Sequence, residues 1–153
     1  MRVRRFHVVT LVLLLGTELS QAGGVDDGKK LLLQKRYSEA ADAFRGALKA
    51  APSSRDALMG LAEAVSDGLL SDAYPEVEEA LQGAAKEKPD DRDLRLALGR
   101  FYFARAKEDD RYHADVEVQY RRLLKADPGD EEAVAGIARM HYERADFKRG
   151  VEV

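Results

Sequence analysis

Apolar and small residues recur every three or four positions along most of the chain, in runs separated by short polar breaks. Three prolines mark such breaks: Pro52, Pro89 and Pro128 are 37 and 39 residues apart. The repeating interval is that of an amphipathic helix with one wide buried face. We therefore predict one helix before each proline and one after it. The apolar runs cover residues 40–48, 58–65, 77–85, 94–102, 116–124 and 134–141.

Residues suited to starting a helix follow each proline. Ser54, Asp91 and Asp130 precede the second run of each pair. A side-chain oxygen at that place accepts a hydrogen bond from the free amides of a helix start. The last run puts four residues on its predicted buried face: Val134, Ile137, Ala138 and His141. The predicted order is helix, turn, helix and proline turn, repeated along the chain.

This pattern resembles the tetratricopeptide repeat, a unit of about 34 residues that forms a pair of helices. The clearest unit, residues 37–52, carries the second-helix pattern of the family at Ala40, Phe44, Ala47 and Pro52. First-helix pairs of an apolar and a small residue are Leu61-Ala62, Leu98-Gly99 and Ile137-Ala138, with Gly28 at the small position of the first repeat. A small residue there lets the two helices of a pair approach closely.

The resemblance implies an all-α fold, an α-solenoid of antiparallel helix pairs that winds into a superhelix. It covers about residues 26–153. The repeat domain is predicted at 23–153, with repeats at about 23–54, 55–91 and 92–130 and an incomplete one at 131–153. The second and third repeats are 3 and 5 residues longer than the family unit, and the extra length falls between their helices. The alternative is an ordinary helical bundle made of unrelated hairpins.

The fourth repeat breaks off in mid-unit. Its first helix is predicted at about residues 131–144, and a second begins at Ala145 but stops at Val153. Such a short stub does not sustain a helix unaided. Either the chain is part of a longer array, or its open end is a docking surface. We expect weak self-association through residues 131–153.

The first 22 residues have the layout of a cleavable signal peptide. Arg2, Arg4 and Arg5 precede a short apolar run at residues 8–15, and small residues lead to a cleavage site after Ala22. An uncleaved anchor is the alternative, but the run is about half the ~20 residues of a membrane span. We expect an exported chain, periplasmic or secreted, with no membrane span after cleavage.

Composition excludes several kinds of function. The chain of 153 residues has no Cys, which excludes disulfides and thiolate chemistry, and its net charge of −3 argues against a nucleic-acid binder. It lacks phosphate-loop, zinc, calcium-loop and nucleophile-elbow motifs. His113 lies in an acidic stretch, residues 108–115, which is either a cation site or, as we favour, a solvated loop with Asp115 capping the next helix. We therefore expect no enzyme activity, no cofactor and no metal.

In the resembled family the first helices line a concave groove that holds a peptide or a partner helix. The groove positions that we single out here are Met59, Glu63, Leu96, Arg100, Phe103, Arg139 and Tyr142. The same mapping includes Asp56, Ser66, Asp67, Asp93, Ala104, Glu132, Ala135 and Glu143. For Phe103 and Tyr142 core packing is an equal alternative. The predicted function is a protein-interaction module in envelope assembly or secretion, and the alternative is a structural spacer without a dedicated ligand.

Overall fold

The computed structural model describes residues 24–151, with side chains up to residue 145, and every regular element in that range is helical. The α-helices are α1 (Val25–Leu33), α2 (Tyr37–Ala50), α3 (Arg55–Asp67), α4 (Tyr74–Glu87), α5 (Arg92–Ala106), α6 (His113–Ala126) and α7 (Glu131–Val151). The predicted all-α class is confirmed for these residues. The predicted signal peptide lies outside the described residues.

Helices that are neighbours in the chain pack in adjacent pairs. Each helix from α1 to α7 contacts the next, and the odd-numbered helices also contact one another in the order α1, α3, α5 and α7. The core is built from the predicted apolar faces, with Phe44, Leu61, Leu81 and Phe101 completely enclosed. Within the described range, no helix is both long and apolar enough to cross a membrane.

The three predicted helix caps are confirmed. Ser54 Oγ accepts from the amide of Ala57 at 3.3 Å, Asp91 Oδ1 from that of Leu94 at 3.1 Å, and Asp130 Oδ1 from that of Ala133 at 3.1 Å. Each bond satisfies one of the amides that a helix start leaves free. These caps begin α3, α5 and α7.

An arginine links each capping aspartate to the preceding odd-numbered helix. Arg55 at the start of α3 donates to Asp91 over 2.7 Å, and Arg92 at the start of α5 donates to Asp130 over 2.7 and 2.9 Å. These hydrogen bonds are the largest cause that holds the pKa of Asp91 and of Asp130 below the ordinary value. The N-termini of α3, α5 and α7 are thereby held side by side.

Two aromatic rings lie in slots between glycines of neighbouring odd-numbered helices. Phe44 of α2 lies against Gly28 and Gly60, and Tyr120 of α6 lies against Gly99 and Gly136. The predicted close approach at Gly28 and Gly99 is confirmed. In α4, Leu81 stands at the position of these rings, and the matching positions of α3 and α5 hold Ala62 and Ala97. A smaller side chain is thus matched by slightly larger neighbours.

The extra residues between the helices of the second and third predicted repeats form 3₁₀ turns at Ser71–Ala73 and Asp110–Tyr112. The second turn puts the Tyr112 ring 3.8 Å from the guanidinium carbon of Arg105, which also pairs with Glu78. The prediction that Asp115 caps α6 is wrong, because α6 already begins at His113 and Asp115 lies inside its first turn.

The predicted buried face of α7 is mostly wrong. Val134 is 49% exposed, Ala138 and His141 are exposed as well, and Ile137 is half-buried. Ala133 and Met140 are buried in their place, because α5 and α6 cover one side of α7 and no described helix covers the other.

The predicted break near Ala145 is absent, since α7 continues to Val151. Residues 143–149 contain neither Gly nor Pro, so nothing in the local sequence stops the helix. Between α1 and α2, by contrast, the turn is made by Lys35, whose φ of 58° lies in the left-handed region.

Candidate functional site

The odd-numbered helices α3, α5 and α7 together line a cavity of about 580 Å³, which we call the first cavity. Because α5 contacts both α3 and α7, positions of the same register on the three helices open onto one surface. Five of the singled-out residues line this cavity: Met59, Glu63, Arg100, Phe103 and Arg139.

A smaller cavity of about 290 Å³, the second cavity, lies towards the N-termini of the same helices. Leu96 lines it, and Met59, Glu63 and Arg100 line both cavities, which therefore form one continuous surface. Of all the mapped groove positions, Tyr142 and Glu143 line neither cavity. Tyr142 is 69% exposed on α7, so it is neither a core residue nor a wall of the cavities.

Phe103 is both a core residue and a wall of the first cavity. Its side chain is buried and belongs to the same apolar cluster as Phe101. The guanidinium carbon of Arg139 lies 4.8 Å from the centre of the Phe103 ring, and Lys107 Nζ lies 5.9 Å from it. These distances allow cation–π attraction, so the ring positions two cations at the α5–α7 side of the cavity.

Except for Glu63, which also lines the first cavity, the charged side chains around the second cavity are paired with one another across helices. Each pair joins one odd-numbered helix to the next. The pairs are Lys29–Asp56 at 3.3 Å, Arg55–Asp93 at 3.1 Å and Arg100–Glu132 at 2.7 Å. The second cavity therefore presents little charge that is open to another molecule.

The first cavity differs, because its charges are separated. Glu63 and Asp67 of α3 face the cavity from one side, and Lys107, directly after α5, and Arg139 of α7 line it as well. Among the described residues, no ion pair involves Glu63, Asp67 or Lys107, and Arg139 pairs only with Glu143 of its own helix at 3.1 Å. The cavity thus has an acidic wall on α3 and a basic wall on α5 and α7.

The mapped groove positions omit seven residues that line the first cavity. Ala62, Ala97 and Gly136 lie on the odd-numbered helices, and the other four are Tyr37, Leu69, Lys107 and Tyr120. They lie at the start of α2, in the turn after α3, directly after α5, and on α6, whereas the mapping considered only the faces of the first helices. Tyr120 is placed by its glycine slot, and burial raises the pKa of its hydroxyl. The pairing of Gly99 with Gly136 was the available signal for Tyr120.

No group of three or more His, Asp or Glu side chains in residues 24–151 is arranged to hold a metal ion. His113 Nδ1 lies 2.8 Å from Asp110 Oδ1, one turn back in the chain. No protein-family model matches the sequence, and no curated protein is significantly similar to it.

Proposed function

We propose that this chain is an exported protein-interaction module that binds a peptide or a partner helix in the first cavity. In this proposal the helices form a tetratricopeptide-like superhelix, with α3, α5 and α7 on its concave side. The partner belongs to envelope assembly or secretion.

Four repeated features support the superhelical arrangement. The odd-numbered helices contact each other in chain order, the caps recur before α3, α5 and α7, and the Arg–Asp links recur between them. The Phe44 and Tyr120 slots repeat as well. Recurrence of one contact set at a nearly constant spacing is what a solenoid requires and what an irregular bundle lacks.

The separated charges of the first cavity are the observation that carries the binding proposal. Glu63, Asp67 and Lys107 have no ion-pair partner among the described residues, although oppositely charged side chains line the same cavity. Its volume of about 580 Å³ is within the usual range of ligand pockets. Its wall also offers Phe103 and Arg139, and aromatic and Arg side chains contribute most to interface energies.

Export rests on residues 1–22 alone, on the basic start, the short apolar run and the small residues before Gly23. Intact-mass analysis of the chain after expression in cells with an export pathway tests it, because cleavage after Ala22 removes a defined mass. Retention of Met1 on exported material contradicts this part of the proposal.

A structural spacer is the second candidate function, and the ion-pair ladder favours it. Lys29–Asp56, Arg55–Asp91 and Arg92–Asp130 join all four odd-numbered helices along one edge. Such a ladder joins neighbouring helices whether or not a ligand binds.

Selection from a phage-displayed library of random heptapeptides separates the two candidates. The test variant A135R puts a long side chain into the first cavity, and the control V134R makes the same change one residue earlier, on an exposed position that lines neither cavity. An interaction module yields peptides that bind the wild type and V134R but not A135R. Bound peptide also raises the melting temperature with concentration, because only the folded state binds it. A spacer yields no such peptides.

The exposed side of α7 supports one further part of the proposal, weak self-association. Val134 and Tyr142 are large and exposed on this helix. Contact between two such surfaces removes apolar area from water.

A further inference from the structure

We infer that the first cavity selects a peptide segment that carries one cationic and one anionic side chain on either side of an apolar residue. This inference rests on the proposed binding function and adds the chemistry of the partner. It follows from the separation of charge across the cavity, with carboxylates on α3 and cations on α5 and α7.

The two walls hold their charges in different ways. On α3, Glu63 and Asp67 are exposed and one helical turn apart, so both face the cavity with the buried Ser66 beside them. On the opposite wall, the Phe103 ring lies 4.8 Å from the Arg139 guanidinium carbon and 5.9 Å from Lys107 Nζ. A cation of the ligand is therefore attracted to the α3 wall and an anion to the α5–α7 wall.

The walls do not neutralise each other. Ion pairs between odd-numbered helices do form around the second cavity, as between Arg100 and Glu132 at 2.7 Å. No such pair joins Glu63 or Asp67 to Lys107 or Arg139 within residues 24–151. A ligand with both charges gains both attractions, whereas a ligand of one sign meets repulsion from one wall.

The part of the first cavity between the two charged walls contains apolar residues. Ala97 and Phe103 of the middle helix α5 line the cavity, as do Met59, Ala62 and Tyr120. An apolar side chain of the peptide loses exposure to water when it contacts these residues. The ligand therefore needs an apolar residue between its charges.

The packing of the helices gives the spacing of the ligand charges. Packed helices are about 8–10 Å apart, so α3 and α7, with α5 between them, are about 16–20 Å apart. An extended peptide advances about 3.3–3.6 Å per residue. These are distances between helix axes, and the Arg139 guanidinium reaches back to the Phe103 ring of α5. The cationic and anionic residues are therefore at most about five positions apart.

Blocked hexapeptides titrated into the full chain test the inference. All have a central leucine among alanines, and only the first and sixth residues differ: lysine and glutamate, glutamate and lysine, two glutamates, two lysines or two glutamines. Binding is followed by NMR or calorimetric titration. We expect one of the two mixed-charge peptides to bind about fivefold more tightly than the peptides with two glutamates, two lysines or two glutamines, which is the effect of one partly exposed ion pair.

Charge-reversal variants assign the two walls. With E63K/D67K the two-glutamate peptide becomes the tightest ligand, and with K107E/R139E the two-lysine peptide does. The control D26K/D72K makes the same change in net charge as E63K/D67K, but at exposed positions outside both cavities. We expect this control to keep the preference for the mixed-charge peptide. If a reversal variant does not fold, E63Q/D67Q and K107Q/R139Q replace it, and each removes the preference.

The outcomes separate this inference from the proposed function. Equal binding of all five hexapeptides overturns the inference. The inference is also overturned if the peptides selected from the library no longer bind A135R but still bind E63K/D67K as they bind the wild type. In that case the proposed function stands. If neither the hexapeptides nor any library peptide binds, the proposed function itself fails.

Discussion

The ring of Tyr120 lies directly against the α-carbon of Gly99, with no room for a side chain between them. A β-carbon added to Gly99 would lie 2.7 Å from Cε1 of Tyr120, well inside van der Waals contact. The ring belongs to α6 and the glycine to α5, so this contact sets how closely the two helices pack. Gly136 of α7 also lies against the ring. A β-carbon added to Gly136 would lie 2.5 Å from Cε2 of Tyr120.

Replacement of Gly99 by Ala should therefore destabilise the fold. We expect G99A to lower the free energy of unfolding by about 1–3 kcal/mol, because an extra methyl group in a filled core forces side chains or helices apart. G83A is the matched control, since nothing lies near Gly83 of α4, and it should stabilise the fold by about 0.5–1 kcal/mol. Urea unfolding measures both.

The position of α4 that corresponds to the Tyr120 ring holds a smaller side chain, and this difference suggests how to rescue G99A. Where Leu81 replaces the aromatic ring, the matching neighbours are Ala62 and Ala97. The cost of G99A should therefore be smaller in a Y120L background than in the wild type. A double-mutant cycle without coupling between the two positions would show that the slot does not set the packing.

The Arg55–Asp91 link should make stability depend on pH. Since the folded-state pKa of Asp91 is lowered, its contribution is complete above the unfolded pKa of about 3.9 and is lost as the pH falls through the lower folded value. Asn is also a good helix cap, so D91N removes the charge and keeps the cap.

D91N should be less stable than the wild type at pH 7, with a smaller difference at pH 2.5. The urea midpoint at the two pH values measures this. D72N, at an exposed position of a 3₁₀ turn, should behave as the wild type does. An identical pH dependence of D91N and wild type would contradict the role of the ion pair.

Leu98 and Arg100 should respond very differently to substitution, although both lie on α5. Leu98 is 2% exposed, so L98D buries a carboxylate without a partner and should cost at least about 3 kcal/mol. R100Q removes an exposed ion pair with Glu132, which costs less than about 1 kcal/mol. Circular dichroism during urea unfolding distinguishes them. Equal stability of the two variants would refute the register of α5.

Self-association through α7 should appear in sedimentation velocity as a weighted sedimentation coefficient that rises with concentration. V134E/Y142E should abolish the rise, because both side chains are exposed on the side of α7 that no described helix covers. L33E is the control, since Leu33 is 87% exposed on α1, and it should leave the rise unchanged. A wild-type chain that stays monomeric at every concentration would refute this prediction.

The local pattern of the sequence was sufficient to predict helices α2 to α6 and most of the residues that line the first cavity. The intervals between apolar residues predicted α2 to α6, and the caps Ser54, Asp91 and Asp130 followed from side-chain type alone. Met59, Glu63 and Arg100 could be mapped to one surface because the backbone geometry of a helix fixes which residues share a face.

Tertiary contacts decided what no local pattern contains. Arg100 pairs with Glu132 from a different helix, whereas Glu63 has no such partner among the side chains of residues 24–145, and only the crossing of α3, α5 and α7 separates the two cases. His141 fits an apolar face yet is exposed, because burial requires a neighbouring helix and not only a suitable face. Helical period depends on residues within a few positions of each other. Ion pairing and burial depend on which distant segments meet, so they were settled only when the helices packed.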